Sequence, residues 1–480
     1  MNTTNKPKRA SWSTSFAFTL AAAASAIGLG NLWRFPYLAA QYGGGSFILI
    51  YLVLVVTLGF TLMVSEIAIG RATQQSQLTA FSRFRRSWGI LGLAATIVPL
   101  LIVPYYCVIG GWVLKYFVTY VQLLFHPGAD LLANPDAFFG SFISAPFAPY
   151  AYTLVFLGLS ALVILLGVKN GIEKSNLVLM PLLFLLAVAI CVYVAFLPGA
   201  ADGISFYLLP NLSFFRTATG SFSIALLAKT VLGAMGQMFY SLSIAMGIMI
   251  TYGSYLSKTD SIERAVRRIE FFDTLIALLA GFMIIPVVYL FAVKTGTPVQ
   301  EAMNAGPGLM FITLPKVFAT FSPATAAIVG TFFFLLVIFA ALTSAISLYE
   351  ACLASVCDLL HIRRSAAALA LFILIAFLAV FSALGYGPLV KVKPFGLPFL
   401  DFFDFITNSV LMPLVALGTC LFVSFVISPD SIEMEILRSD PRFVARTLYR
   451  VMVRFVAPLL IVAVLVSEIC RALGLFGWSI

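Results

Sequence analysis

Charge is what this sequence has least of. Asp, Glu, Lys and Arg make up 10% of its 480 residues, against 61% that are hydrophobic, where soluble domains carry roughly a quarter charged residues. With a mean hydropathy of +1.05, this composition excludes a soluble globular domain. Histidine is nearly absent, and the two present, His126 and His361, fall in loops. With no histidine in an apolar run and no HExxH, the chain lacks the base or metal cluster that a membrane enzyme needs. The six cysteines, at 107, 191, 352, 357, 420 and 470, form no CxxC pair. They read as buried free thiols, not as a disulfide framework or a metal site. Long polar connections are missing too. The longest, at 126–149, 198–221, 294–321 and 428–446, are too short for an independent core.

What fills the chain instead is apolar runs. Eleven are expected to cross a bilayer, over 13–42, 46–70, 90–125, 150–168, 175–197, 222–256, 262–293, 322–359, 365–385, 399–427 and 447–473, at ~1.5 Å of rise per residue. The positive charges alternate between connections. Lys6, Lys8 and Arg9 share a side with Arg71, Arg83, Arg85, Arg86, Lys169, Lys174, Lys258, Arg264, Arg267, Arg268, Arg363, Arg364 and Arg438. The connection 126–150 on the other side has no Lys or Arg. The net charge of +10 is therefore a topology signal and not a nucleic-acid footprint, and it places the N-terminus inside and the C-terminus outside. The first run is too long for the apolar region of a secretory signal, and no small-residue cleavage site follows it. No residue pattern specifies an oligomeric state.

Two runs are interrupted. Ser25-Ala26-Ile27-Gly28-Leu29-Gly30-Asn31-Leu32-Trp33-Arg34 sets small residues, an Asn and an Arg in the middle of the first. Such residues at membrane depth are tolerated only where freed backbone groups find partners in protein or at a cavity. Gly236-Gln237-Met238-Phe239-Tyr240-Ser241-Leu242-Ser243-Ile244-Ala245-Met246-Gly247 does the same in the sixth. Runs one and six each begin a half of five, and five is odd, so the halves have opposite orientation. Glycine-interrupted helices in matching places of two inverted halves point to a transporter with a midplane site for a small ionic substrate. The competing account, tight helix packing through small residues, explains one such segment better than two.

The segment GLGNLWRFPYL with Gly43-Gly44-Gly45 resembles the first helix of the neurotransmitter:sodium symporters. Further likenesses follow in the family's order: Tyr105-Tyr106 and Gly111-Trp112, Gly236-Gln237 through Ser243, Thr251 through Tyr255, Phe339 through Ser344, and Asp401 through Asp404. The resemblance implies an all-α membrane protein of 11 transmembrane helices, with a 5+5 inverted repeat and unwound helices 1 and 6. Its parts would be a cytoplasmic tail 1–12, a first repeat 13–197, a second repeat 222–427 and a peripheral last helix 447–473.

The resemblance also implies two Na+ sites. One takes the Ala26 carbonyl, Asn31, Ser241, Asp273 and the substrate's own carboxylate. The other takes the carbonyls of Ala24, Ile27 and Ala340 with the hydroxyls of Thr343 and Ser344. Such oxygen sets suit a hard cation. The substrate carboxylate would meet the N–H groups of Leu29 and Gly30 and the Tyr106 hydroxyl. Its ammonium would meet carbonyls of Ala26, Tyr240 and Ser241 and the Ser243 hydroxyl. Ile102, Tyr106, Tyr240, Met246 and Leu348 would line an apolar side-chain pocket. Arg34, Asp404 and Gln237 resemble an outer gate; Arg9, Trp12, Tyr255 and Asp358 resemble an inner one. Glu66 is expected to bond the unwound backbone of the sixth run, and Glu350 receives no role.

Two departures stand out. Asp273 replaces the family's usual Asn, with Ala277 one turn on where chloride-dependent relatives have Ser, so no chloride requirement is expected. Ala245-Met246 stands where many relatives have Gly-Phe, which alters the pocket. The expected function is sodium-coupled import of a neutral, hydrophobic or aromatic amino acid by alternating access, in the cytoplasmic membrane of a prokaryote. A membrane sensor that binds without transporting is the alternative, since it could keep every site residue.

Overall fold

The computed structural model describes residues 9–217 and 220–472. Lys6, Lys8 and most of the expected tail 1–12 therefore lie outside the described residues, as does the last residue of the expected run 447–473. Regular structure is helical among the described residues, apart from isolated bridges of Gly44 with Pro210 and Arg216 with Phe222.

Nine helices among the described residues are long and apolar enough to cross a membrane. These are α2 (Gly45–Thr73), α3 (Arg86–Phe125), α4 (Ala148–Leu165), α5 (Val168–Ala195), α7 (Ile262–Thr295), α8 (Pro323–Leu360), α9 (Arg364–Leu384), α10 (Phe399–Ile427) and α11 (Arg446–Cys470). A further crossing, α1, is the pair Ser15–Ala26 and Gly30–Gln41, bent by 55°. The sixth expected run, α6, is split into Ile224–Ser241 and Ile248–Gly253, neither of them among those nine. We call the halves α1a, α1b, α6a and α6b.

Local chemistry sets the starts of these helices. The hydroxyls of Thr14, Ser261 and Ser322 accept from the N–H groups of Ala17, Arg264 and Thr325, capping α1a, α7 and α8, and so satisfy donors the helix itself cannot. In α3, Pro99 and Pro104 each remove an N–H from the ladder just before Tyr105 and Tyr106, locally loosening that helix. Leu162, Leu369 and Val53 are more than half exposed, as an apolar solvent allows.

The broken helices lie at the centre. α1a packs on α7 and α8, α6a and α6b pack along α2, and the long α3 and α8 pack on each other. The connections are partly helical. Pro135–Ser144 and Leu309–Phe318 lie at the end opposite the arginine-rich loops. At the basic end, Pro429–Leu437 is pinned beneath α2, and the stretch that follows it is bonded to α7. Arg71, fully buried, pairs with Glu435 at 2.8 Å, and Glu263 accepts from Val444 N at 3.0 Å. Pairing and hydrogen bonding are what make buried charge tolerable.

Candidate functional site

The break in α1 falls at Ile27, whose ψ of 102° turns the chain out of the helix. Its freed carbonyls face α8. The Ser344 hydroxyl donates to Ser25 O and to Ile27 O, each at 3.0 Å. Thr343 donates to Phe339 O at 3.0 Å and Ala340 O at 3.1 Å. The structure thus gathers Ile27, Ala340, Thr343 and Ser344 into one oxygen-rich cluster. Ala24 is buried within α1a, while the bonded carbonyl beside Ile27 is that of Ser25. Gly28 sits where α1 and α8 come closest. A Cβ there would lie 2.7 Å from Ser344 Oγ and 2.9 Å from Tyr106 Oη.

A second polar cluster forms on the other side of the same break. Asn31 Nδ2 donates to Asp273 Oδ1 at 2.8 Å and to Ser241 Oγ at 3.0 Å. Ser241 donates to both oxygens of Asp273, at 3.0 and 2.9 Å, and Tyr51 reaches Asp273 Oδ2 at 3.4 Å. All four residues are buried. No cationic side chain pairs with Asp273 among the described residues, so a carboxylate and three neutral polar groups share an enclosed site.

Between the clusters lies a small cavity of about 20 Å³. Backbone and small side chains of Ser25, Ala26, Gly28 and Gly30 form one wall, Ser243 and Ser344 supply hydroxyls, and Ile102, Tyr106, Tyr240, Met246 and Leu348 make the apolar side. The Leu29 N–H donates to Tyr106 Oη at 3.3 Å. Leu29 itself is buried outside the lining.

The break in α6 is built differently. Ser243 (φ 52°), Ala245 (φ 63°) and Gly247 (φ 70°) take left-handed backbone conformations, which cost ~1–3 kcal/mol at a residue other than glycine. Two bonds hold them. The Ala245 N–H donates to Glu66 Oε1 at 2.8 Å, the contact expected of Glu66. Ser243 Oγ donates to Ser25 O at 3.0 Å, tying the two breaks together.

The cavity's two flanks differ. On one side a vestibule of about 470 Å³ is lined by Arg34, Tyr105, Asp401, Asp404 and Glu468, among others. Arg34 lies over the Tyr240 ring at 5.8 Å. Asp404 accepts from Tyr105 at 3.1 Å and Asn408 at 2.6 Å. Among the described residues, no ion pair joins Arg34 to Asp404. Gln237 donates to Gly30 O at 3.1 Å. Asp401, one turn from Asp404, accepts from Tyr386 at 3.3 Å.

The basic end is shut. Arg9 bonds both oxygens of Asp358, at 2.8 and 3.0 Å, bonds Ser254 Oγ and covers the Tyr255 ring at 5.1 Å. Trp12 Nε1 donates to Tyr252 O at 3.1 Å. Tyr255 donates to Glu350 at 2.8 Å, and Glu350, fully buried, pairs with Arg364. That pairing accounts for Glu350, to which sequence reasoning gave no role. Sequence reasoning also missed Ser25 and Tyr51. Ser25 sat inside the interrupted segment and was legible there; Tyr51 is distant in sequence from Asp273, the carboxylate it reaches.

The family model of the sodium:neurotransmitter symporters matches residues 9–126 and 148–475. An uncharacterized sodium-dependent transporter of Bacillus subtilis (strain 168) is 34% identical over 470 residues, covering 97% of this chain and 99% of its own. The human sodium- and chloride-dependent GABA transporter 2 is 28% identical over 368 residues, covering 69% of this chain and 59% of its own. Among solved structures, that of MhsT in complex with L-phenylalanine superposes with a TM-score of 0.83 at 34% identity, covering 96% of this chain and 100% of that one.

Proposed function

The chain belongs to the sodium:neurotransmitter symporter family, transporters and not enzymes, and we propose that it imports a neutral, hydrophobic or aromatic amino acid coupled to sodium. The observation that carries this reading is the pair of broken helices facing one cavity, with an oxygen cluster on either side. A solved relative of similar fold holds L-phenylalanine, and Ile102, Tyr240, Met246 and Leu348 here offer a side chain of that kind apolar surroundings.

In this reading the substrate carboxylate takes the Leu29 and Gly30 N–H groups and the Tyr106 hydroxyl. Its ammonium takes the Ala26, Tyr240 and Ser241 carbonyls and the Ser243 hydroxyl. One Na+ is bound by the Ala26 carbonyl, Asn31, Ser241, Asp273 and the substrate carboxylate, so ion and substrate share a ligand and are coupled through it. The other is bound by Thr343, Ser344 and the carbonyls of Ala24, Ile27 and Ala340. The repeats 13–197 and 222–427 then move around this centre, with Arg34, Gln237 and Asp404 closing the outer side. Arg9, Trp12, Tyr255 and Asp358 open the inner side for release. The protein sits in the cytoplasmic membrane of a prokaryote with its basic end inside.

Two cations and a zwitterion in a dry site require compensating negative charge, since unpaired buried charge costs several kcal/mol. Asp273 supplies it, and transport is therefore chloride-independent. The test is uptake into proteoliposomes, with the twenty amino acids screened in a sodium gradient. Sodium-driven accumulation that survives replacement of chloride by gluconate is expected. Strict chloride dependence would overturn the role of Asp273, and binding without accumulation in any gradient would identify a sensor instead.

A further inference from the structure

The turn joining α2 to α3 reaches into the closed inner end. Gln74, in a left-handed conformation (φ 54°), ends α2 and directs Ser76 and Gln77 beneath α6b and α8. Gln77 is fully buried. Its Nε2 donates to Ala351 O of α8 at 3.0 Å, and its Oε1 accepts from the Thr251 hydroxyl of α6b. The same side chain lies against the hinge of α6: at Gly247 a Cβ would come within 2.6 Å of Gln77 Cδ. One residue earlier, the Ser76 N–H donates to Asp358 Oδ2 at 2.7 Å, the carboxylate that Arg9 holds.

These contacts have a mechanical consequence. α6b is a single short helix separated from α6a by the unwound stretch Leu242–Gly247, so it can swing as a unit about Gly247. α8 is one of the two longest helices and packs along most of α3. An amide bonded to both fastens a movable element to a fixed one. The joint is dry, and a buried amide that loses its partner is costly. We propose that Gln77 is a positioning residue that latches α6b to α8 while the inner end is shut and so sets how readily that end opens. Ser76 supports the same closed state by keeping Asp358 aimed at Arg9. The proposal rests on the alternating-access reading above.

The test is backbone hydrogen exchange of Ile248–Gly253 in lipid nanodiscs, with and without sodium. Gln77→Leu should raise exchange there by about threefold to tenfold without sodium, the worth of roughly one hydrogen bond, and saturating sodium should restore it. Thr251→Val should do the same, Thr251→Ser should behave as wild type, and the Gln77→Leu/Thr251→Val pair should exceed neither single variant. Additive effects, or a Thr251→Ser variant as defective as Thr251→Val, would overturn the latch. Arg9→Ala separates the two ideas. If it responds to sodium while Gln77→Leu exchanges like wild type, the latch fails and alternating access stands. If sodium changes exchange in neither wild type nor Arg9→Ala, alternating access fails and the latch with it.

Discussion

The two helix breaks serve one cavity yet are built on opposite principles. In α1 the chain leaves the helix through Ile27, Gly28 and Leu29 without any residue in the left-handed region. Its freed groups are met by hydroxyls: Ser344 on two carbonyls and Tyr106 on the Leu29 N–H. In α6 the chain turns through three left-handed residues, two of them not glycine, and a buried carboxylate, Glu66, braces it. A hydroxyl both donates and accepts, so it can exchange a backbone partner for a ligand at little cost. A carboxylate bonded to a buried N–H cannot leave without stranding both. The α1 break is thus the responsive half of the site, and the α6 break is its braced half.

The contrast can be broken most severely at α8. Thr343→Ala with Ser344→Ala removes the hydroxyl that meets the α1 break and the neighbouring one that bonds carbonyls of α8 itself, and should abolish sodium-driven accumulation while the protein still folds. Normal accumulation by that double variant in proteoliposomes would show that the responsive half is not where an ion acts. At the braced half, Glu66→Ala strands the Ala245 N–H and leaves that strained residue unsupported. Leaving a buried donor without its partner costs about 1–3 kcal/mol, so denaturant unfolding in detergent should show a loss of that order, with transport falling in parallel. An undiminished stability would mean that α6 holds its own shape.

A smaller effect is expected at Tyr106. Tyr106→Phe removes the hydroxyl that meets Leu29 N–H and should weaken substrate binding about tenfold to a hundredfold, at ~1.4 kcal/mol per decade, with little change in stability. Equal affinity of wild type for an amino acid and its decarboxylated amine would exclude a carboxylate at this hydroxyl. The mildest change sharpens the comparison. Ala245→Gly relieves a left-handed alanine and should stabilise the fold by about 0.5–1 kcal/mol, the strain removed less the added freedom of the unfolded chain. The same substitution logic fails at Ser243, because Ser243→Gly also discards the bond to Ser25 O. A destabilised Ala245→Gly in thermal melts would show that no strain resides there.

Much of this was legible along the chain. The crossings follow from apolar runs, and the interruptions at Gly28–Gly30 and Leu242–Gly247 from small and polar residues at membrane depth. Glu66 was legible as a buried carboxylate that needed a backbone donor. The partners of Glu350 were not, because Tyr255 lies in the turn after α6b and Arg364 opens α9, and no periodicity links them to α8. The same is true of Tyr51 beside Asp273. The vestibule also escaped sequence reasoning. Arg34 and Asp404 are recognisable as a facing pair, but whether they touch depends on the conformation, and here Asp404 is held by Tyr105 and Asn408 instead.

The sequence by itself determined the class of the molecule, the order of its apolar helices and the two places where helices must break. Those properties come from local physics: burial in an apolar solvent, helical rise, and the weakness of glycine and polar residues within a helix. Only the tertiary structure decided which carbonyl meets which hydroxyl, that Ser344 donates to the Ser25 and Ile27 carbonyls, that Gln77 joins α6b to α8, and that Arg9 is bonded to Asp358 while Asp404 is held by Tyr105 and Asn408. Each depends on how rigid helices distant in sequence settle against one another, where a shift of an ångström or two exchanges one hydrogen-bond partner for the next.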